Sequence, residues 1–364
     1  MVPADLLRGE ALARDATHTT LTALSERWLV WLADPHPPVS EPASQIGARE
    51  LSSLLDAAEL HGVLAMCLDG LRRTAAAACG ITDGEDNRRS QIIKDKSNRS
   101  VDLVSVQMLL AHHGEIVRKS LAARHLPFTI VKGQTFARLL YPTPILRRYT
   151  DIDVLVPIAV RAEVSRVLAD LGFELQEMEY RSGADYFEDK WTLRADQEIL
   201  IEVHCDLVHN PKLRRSFWLG YEDVADAGDG NPENATALLL VAGSHGAISH
   251  QFDRLLQVID VLQCARGVAG PVDVGRLRTV ADRCGLTLAV ATSLALASET
   301  FADESCKALL KKFAPRTFDT AASHLLTPRV TLAAQSNDHR FASLRRKLFR
   351  QALRYSAMHR PTQG

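Results

Sequence analysis

Apolar residues recur at helical spacing through the first third of the chain. Trp28, Leu29 and Leu32, then Leu51, Leu54 and Leu55, mark one-sided stripes, and Pro35, Pro37 and Pro38 separate them. Residues 76–87 are small, polar and glycine-bearing and read as a loop. From 88 to 124 there is no proline and one glycine, and Val101, Val104, Met108, Leu109 and Ile116 predict one long helix or two in series. The period changes at His125-Leu126-Pro127. Phe128, Ile130 and Lys132 alternate with Thr129 and Val131, a strand pattern ending at Gly133. Residues 134–141 fit a short helix that stops before Pro142, because a residue preceding proline avoids the α region. Ile152, Val154 and Val156 alternate with Asp151, Asp153 and Leu155 in a second strand closed by Pro157, and 160–171 read as a helix ended by Gly172. Residues 186–195 and 198–207 read as an antiparallel pair around Ala195-Asp196-Gln197. Beyond about 231 the chain returns to helices over 235–249, 252–266, 272–284 and 286–302.

This order predicts an α+β fold: a small mixed sheet within 125–230, a helical region over 1–124 and a helical domain over 231–364. The last stretch, 340–360, carries seven Arg or Lys and no acid. Leu344, Leu348, Ala352 and Leu353 at helical spacing make it an amphipathic helix with a solvated basic face, or a dock for an anionic partner.

Composition narrows the picture little. The 364 residues are 46% hydrophobic and 24% charged, with a formal net charge of -1, so nothing general recruits a nucleic-acid polyanion. The cysteines are scattered without a C-x-x-C pair, which argues against a zinc ribbon or a disulfide framework. Asp5, Arg8, Glu10, Arg14 and Asp15 interrupt the N-terminus as a signal segment. The most apolar run, 286–297, is too short for a bilayer. A cytoplasmic protein without a membrane partner is expected.

The chemistry concentrates between Phe128 and Pro157. Asp151 and Asp153, two apart on a strand, share a face while Ile152 and Val154 face a core. Paired carboxylates repel unless a cation lies between them, and Mg²⁺ (or Mn²⁺) takes such oxygens together with phosphates. In 198–207, Leu200, Glu202 and His204 share one face. If that strand lies beside the aspartate strand, Glu202 becomes a third carboxylate. His204 then reads as a contact to phosphate or acceptor, or as a hydrogen-bond partner within the fold. Gly133, between strand and helix, leaves room for a phosphate at a helix N-terminus. Lys132, Arg147 and Arg148 supply positive charge; Lys132 stands out in an otherwise apolar strand, with a strand-end side chain reaching for solvent on the face of Phe128 and Ile130 as the alternative.

With these residues in view, the sequence resembles the DNA polymerase β-like nucleotidyltransferase superfamily: strand, glycine turn, helix, an Asp-x-Asp strand and a further carboxylate on a neighbouring strand. More narrowly, VKGQTFARLLYPTPILRRYTDIDVLV followed by IEVHCDL is similar to an uncharacterised bacterial nucleotidyltransferase family found in lasso-peptide and other biosynthetic clusters. SHGAISHQFDRLLQVIDVLQ resembles that family's later helical segment and points to His245, Arg254 and Asp260. LHGVLAMCLDGL resembles its early helix. The resemblance implies a nucleotidyltransferase core that moves a nucleoside monophosphate from an NTP to a small-molecule or peptide acceptor. Asp151, Asp153 and Glu202 are then the catalytic metal ligands, and Lys132, Gly133, Gln134, Thr135, Arg147 and His204 contact the nucleotide. The superfamily usually has Gly-Ser at the turn; this chain has Gly133-Gln134, with Thr135 the nearest hydroxyl. A catalytically silent nucleotide-binding scaffold is the alternative. A phosphatase built on Asp-x-Asp is poorly matched by a glycine turn upstream of the aspartates, and a sugar transferase with an Asp-x-Asp metal site leaves Gly133 and Glu202 together unexplained.

Overall fold

The strand patterns in the middle of the chain assemble into one five-stranded sheet. The computed structural model describes residues 21–37, 42, 45–77, 84–176, 186–194, 196–333 and 339–359. Its strands are β1 (Thr129–Val131), β2 (Ile152–Leu155), β3 (Phe173–Leu175), β4 (Glu188–Leu193) and β5 (Asp196–His204), arranged β1-β2-β5-β4-β3. β2 and β5 run parallel and every other neighbouring pair is antiparallel, so the sheet is mixed, as expected. β3 has no counterpart among the strands that the sequence pattern predicts. It is three residues long after Gly172, and only Phe173 is buried, so it carries no alternation to read.

One face of the sheet is apolar. Ile130, Ile152, Val154, Ile201 and Val203 pack there with Leu110, Val117 and Leu121 of α4 (Gly84–Ala123) and with Val164, Val167 and Leu168 of α6 (Arg161–Asp170). The span read as one or two helices is thus a single helix of 40 residues, about 60 Å long at 1.5 Å per residue. Its early part is tied to α2 (Ala48–Leu60) by Lys96, which lies 2.7 Å from both Asp56 and Glu59. Between β1 and β2 lies α5 (Gly133–Leu140).

The helices from the two ends of the chain share one core. Trp28, Leu29 and Leu32 of α1 (Ala23–Ala33) and Leu64, Cys67 and Leu68 of α3 (Leu64–Ala77) belong to the same cluster as α8 (Ala235–Ser244), α9 (Leu255–Ala265) and α11 (Thr287–Phe301). Arg266 fastens them, with Asp34 at 2.7 Å and Asp303 at 2.8 Å. The His61-Gly62-Val63 segment has a structural role in this join. His61 is buried, and burial first of all lowers its pKa to about 4, which leaves a neutral ring. Its Nδ1 accepts the N–H of Leu255 at 3.3 Å, satisfying a free amide in the first turn of α9. Gly62 (φ +73°) takes the left-handed turn after α2.

The basic tail forms α15 (His339–Met358), its Ala342, Phe349 and Leu353 buried. Arg345, Arg346 and Arg350 donate to carbonyls of Leu325, Gln251 and Val330 and to the Gln251 side chain, so these bases hold the helix down. Leu344 and Leu348 remain exposed. Among the described residues no helix is long and apolar enough to cross a membrane. Five cysteines (Cys67, Cys205, Cys264, Cys284, Cys306) are free and buried, and Cys79 lies outside the described residues.

Candidate active site

Strand register places the polar groups. Asp153 of β2 stands opposite Glu202 of β5, and Leu155 opposite His204. On the other side of β5, Lys190 of β4 stands opposite Glu202 and Glu188 opposite His204. Cross-strand partners project to the same side, so Asp153, Glu202, His204, Lys190 and Glu188 line the face opposite the α4–α6 core. The adjacency on which Glu202 depended is therefore present.

Lys132 departs from its expected face. Simple alternation puts it with Ile130, but its backbone turns to φ +57°, ψ -130°, a region that side-chain-bearing residues rarely occupy and that costs about 1–3 kcal/mol. The turn swings the side chain onto the polar face, where Nζ lies 2.9 Å from Asp153 Oδ1. His204 Nε2 lies 3.0 Å from the same oxygen. All three side chains are buried. Burial opposes ionisation of Asp153, but Lys132 and then His204 outweigh it and hold the carboxyl well below the usual range. Burial works against the Lys132 ammonium too, and Asp153 restores it, leaving its pKa above the ordinary value. The His204 ring is kept neutral, its pKa lowered by burial.

Asp151 is the exception among the carboxyls. Burial, followed by the charge of Asp153, pushes it up to about 7. Glu202 keeps some solvent contact and lies 3.0 Å from Lys190 Nζ, which is half exposed.

The groups assigned to the nucleotide divide. Gly133 has its helical backbone at the start of α5, and a Cβ there would press at 3.0 Å on Tyr149 Cβ. Its smallness thus serves the packing of Tyr149 beside the turn. Thr135 gives its hydroxyl to the Ile130 carbonyl at 2.5 Å. Gln134 reaches away to α4, where Nε2 donates to the Ala111 carbonyl at 3.2 Å. A Cβ on Gly114 would overlap its Oε1, which explains why a glycine sits there in α4. Neither side chain therefore presents the free hydroxyl that a Gly-Ser turn supplies. What the turn does offer is backbone: the first helical hydrogen bond runs from Phe136 N to Lys132 O, leaving the amides of Gly133, Gln134 and Thr135 outside the helical ladder.

Arg147 has a different partner from the expected phosphate. It is buried, and its Nε and Nη2 lie 3.1 and 2.7 Å from Oδ1 and Oδ2 of Asp260 on α9, a two-pronged pair. Tyr141 donates to the same Asp260 at 2.7 Å. Asp260, singled out separately in the sequence, is thus the counter-charge of Arg147. Arg148 has no ion-pair partner among the described residues.

Of the remaining resemblance-derived residues, His245 opens a π-helical turn, His245–His250, at the end of α8. Its ring packs 4.7 Å from that of His250, and burial, then the Lys132 charge, depress its pKa well below the usual value. The turn therefore lies within electrostatic reach of the polar sheet face. Arg254 is exposed at the start of α9. Glu188, Lys190 and His209 join the site without having been singled out. The β4 alternation Glu188-Asp189-Lys190 shows polar residues on both faces and so carries no signal until its register with β5 is known.

Asp153, Glu202 and His204 each bring one ligand atom within 4.8 Å of the others. The donor chemistry suits a divalent cation: Asp153 and Glu202 hold their carboxylates at facing positions of adjacent strands, and burial, followed by the charge of Asp153, presses nearby Asp151 towards protonation. The family described as uncharacterised nucleotidyltransferase matches residues 47–302, which covers the sheet, its flanking helices and the whole of this site. No curated protein and no solved structure matches the chain. On the extent of the family match, the chain belongs to the uncharacterised nucleotidyltransferase family.

Proposed function

We propose that the protein transfers a nucleoside monophosphate from an NTP to a small-molecule or peptide acceptor, with Asp151, Asp153 and Glu202 as the ligands of Mg²⁺ or Mn²⁺. The observation that carries this reading is the register: Asp153 and Glu202 face each other on adjacent parallel strands, with Asp151 two residues away. Bound there, the cation supplies charge neutralisation for the triphosphate and its leaving group. The chain's own residues do the rest. The free amides at the start of α5 and the Lys132 ammonium hold phosphate oxygens. Arg148, rather than Arg147, is the arginine left for that charge. One of the carboxylates accepts the acceptor's proton. The acceptor oxygen then bonds to the α-phosphorus as its bond to the pyrophosphate oxygen breaks.

The test incubates the full chain with Mg²⁺, each of the four NTPs and cell extract, and follows nucleotidylated products by mass spectrometry. A product mass increased by one nucleoside monophosphate, with pyrophosphate released, is expected for at least one NTP. One observation favours a silent nucleotide-binding scaffold: Lys132 and His204 both occupy Asp153 Oδ1. NTP binding without pyrophosphate from any of the four would select it.

Cation binding should also depend on pH. A carboxyl raised from 3.8 to about 7 is protonated in the fold below that value, so its contribution to stability declines as pH rises from about 4 to 7. A cation reverses this by stabilising the ionised form. Mg²⁺ is therefore expected to raise the melting temperature markedly at about pH 8 and little at about pH 5.5. Equal shifts at the two pH values would remove Asp151 from the cation site.

A further inference from the structure

Beside the carboxylate site, the same sheet face carries a second cluster of different chemistry. Glu188 at the start of β4, His204 at the end of β5 and His209 in the following loop each place one ligand atom within 4.8 Å of the other two. Glu188 Oε2 lies 3.1 Å from His209 Nδ1, and the rings of His204 and His209 meet with centroids 4.9 Å apart. Ligands about 2.0–2.2 Å from a zinc-class ion stand roughly 3–4 Å from one another, so this spacing needs little adjustment.

The independent observation is the state of His204. The ring is fully buried, and Nε2 lies 3.0 Å from Asp153 Oδ1. An ionised carboxylate only accepts, so Nε2 carries the proton and Nδ1 keeps its lone pair. That Nδ1 is buried and has no hydrogen-bond partner. A buried imidazole nitrogen left bare costs about 1–3 kcal/mol. A carboxylate fixing one ring nitrogen while the other faces a vacant lone-pair direction is the arrangement that metal-bound histidines adopt. Glu188 is oriented in turn, since Tyr186 donates to its Oε2 at 2.9 Å. Lys190, 3.7 Å from Glu188 Oε1, supplies the charge balance in the metal-free state. Glu188 and His209 keep side-chain exposures of 24% and 30%, which leaves a route in for an ion.

We infer that Glu188, His204 through Nδ1, and His209 through Nδ1 form a binding site for a zinc-class divalent cation, separate from the carboxylate site that would take Mg²⁺. Two imidazoles and one carboxylate favour a borderline transition metal, whereas Mg²⁺ prefers oxygen ligands. On binding, the His209 proton moves from Nδ1 to Nε2 and the cation takes its place against Glu188. Asp153 then has two tasks: it faces the carboxylate site and orients a ligand of the second ion. That ion, held by a residue two along β5 from Glu202, would tie the loop after β5 to the sheet through His209.

The probe is Co²⁺, titrated into the chelator-stripped full chain and read by its visible ligand-field absorption. One equivalent is expected to bind, to be displaced by Zn²⁺ and to resist excess Mg²⁺. His209→Ala and Glu188→Gln are expected to weaken Co²⁺ binding at least roughly 100-fold. Both side chains are partly exposed, so folding can be confirmed by circular dichroism. Glu202→Gln is expected to keep the Co²⁺ spectrum, which separates this site from the transfer reaction. No ligand-field absorption in the wild-type chain, or unchanged Co²⁺ affinity in His209→Ala, overturns the assignment.

Discussion

Glu202→Gln is expected to lower nucleotide transfer roughly 10³-fold, the scale seen when one preorganised electrostatic contact to a transition state is removed. The fold should survive the change. Glu202 is only partly buried, and its partner Lys190 has half its side chain in solvent, so removing the charge strands no ion in the interior. Pairs of this exposure contribute about 0–1 kcal/mol, and the melting temperature should shift by no more than about 4 °C. Asp153 is the less informative target. Its carboxylate holds the buried Lys132 ammonium and orients His204, so Asp153→Asn leaves a buried cation unpaired at a cost of about 3–5 kcal/mol. Lost transfer in that variant would not separate catalysis from stability. The decisive measurement is kcat/KM for the NTP selected by the transfer assay, taken beside a thermal melt. Wild-type kcat/KM in Glu202→Gln would exclude this carboxylate from the reaction.

The sequence and the structure agree where periodicity carries the information. Period-2 alternation around Ile152, Val154, Ile201 and Val203 identifies two strands with one apolar face each, and their opposite faces bring Asp153 to Glu202. What alternation misses has a common cause: the side chain's direction or partner is decided by something outside the strand. Lys132 sits at the point where the backbone leaves the β region, so counting by twos assigns it the wrong face. Arg147 and Asp260 are 113 residues apart, and neither shows in its own surroundings that the other is its counter-charge. Gln134 lies in the turn between β1 and α5. Its fit depends on Gly114, a contact between the turn and α4 that no local pattern reveals. β3 is too short to register a period at all.

Arg147 provides the second large effect, on stability. Its guanidinium and the Asp260 carboxylate are 7% and 3% exposed at the side chain, so each depends on the other for its charge to be tolerated. Asp260→Asn should destabilise the protein by about 3–5 kcal/mol, because Arg147 cannot deprotonate and remains as an uncompensated buried cation. Arg147→Met should cost a similar amount by stranding the Asp260 anion. The double variant removes both charges, and the Asn amide oxygen still accepts from Tyr141 Oη in place of the carboxylate. Its loss is therefore expected to fall short of the sum of the single losses by about 1–3 kcal/mol in denaturant titrations. In the same variants, NTP affinity measured at a temperature where all are folded should stay within about threefold of wild type, a difference under 1 kcal/mol. The pair joins the loop before β2 to α9, so its energetic role is to set the Asp-x-Asp strand against the C-terminal helices. A large fall in NTP affinity in Arg147→Met, with stability unchanged, would return the guanidinium to the triphosphate and make Asp260 merely its resting partner.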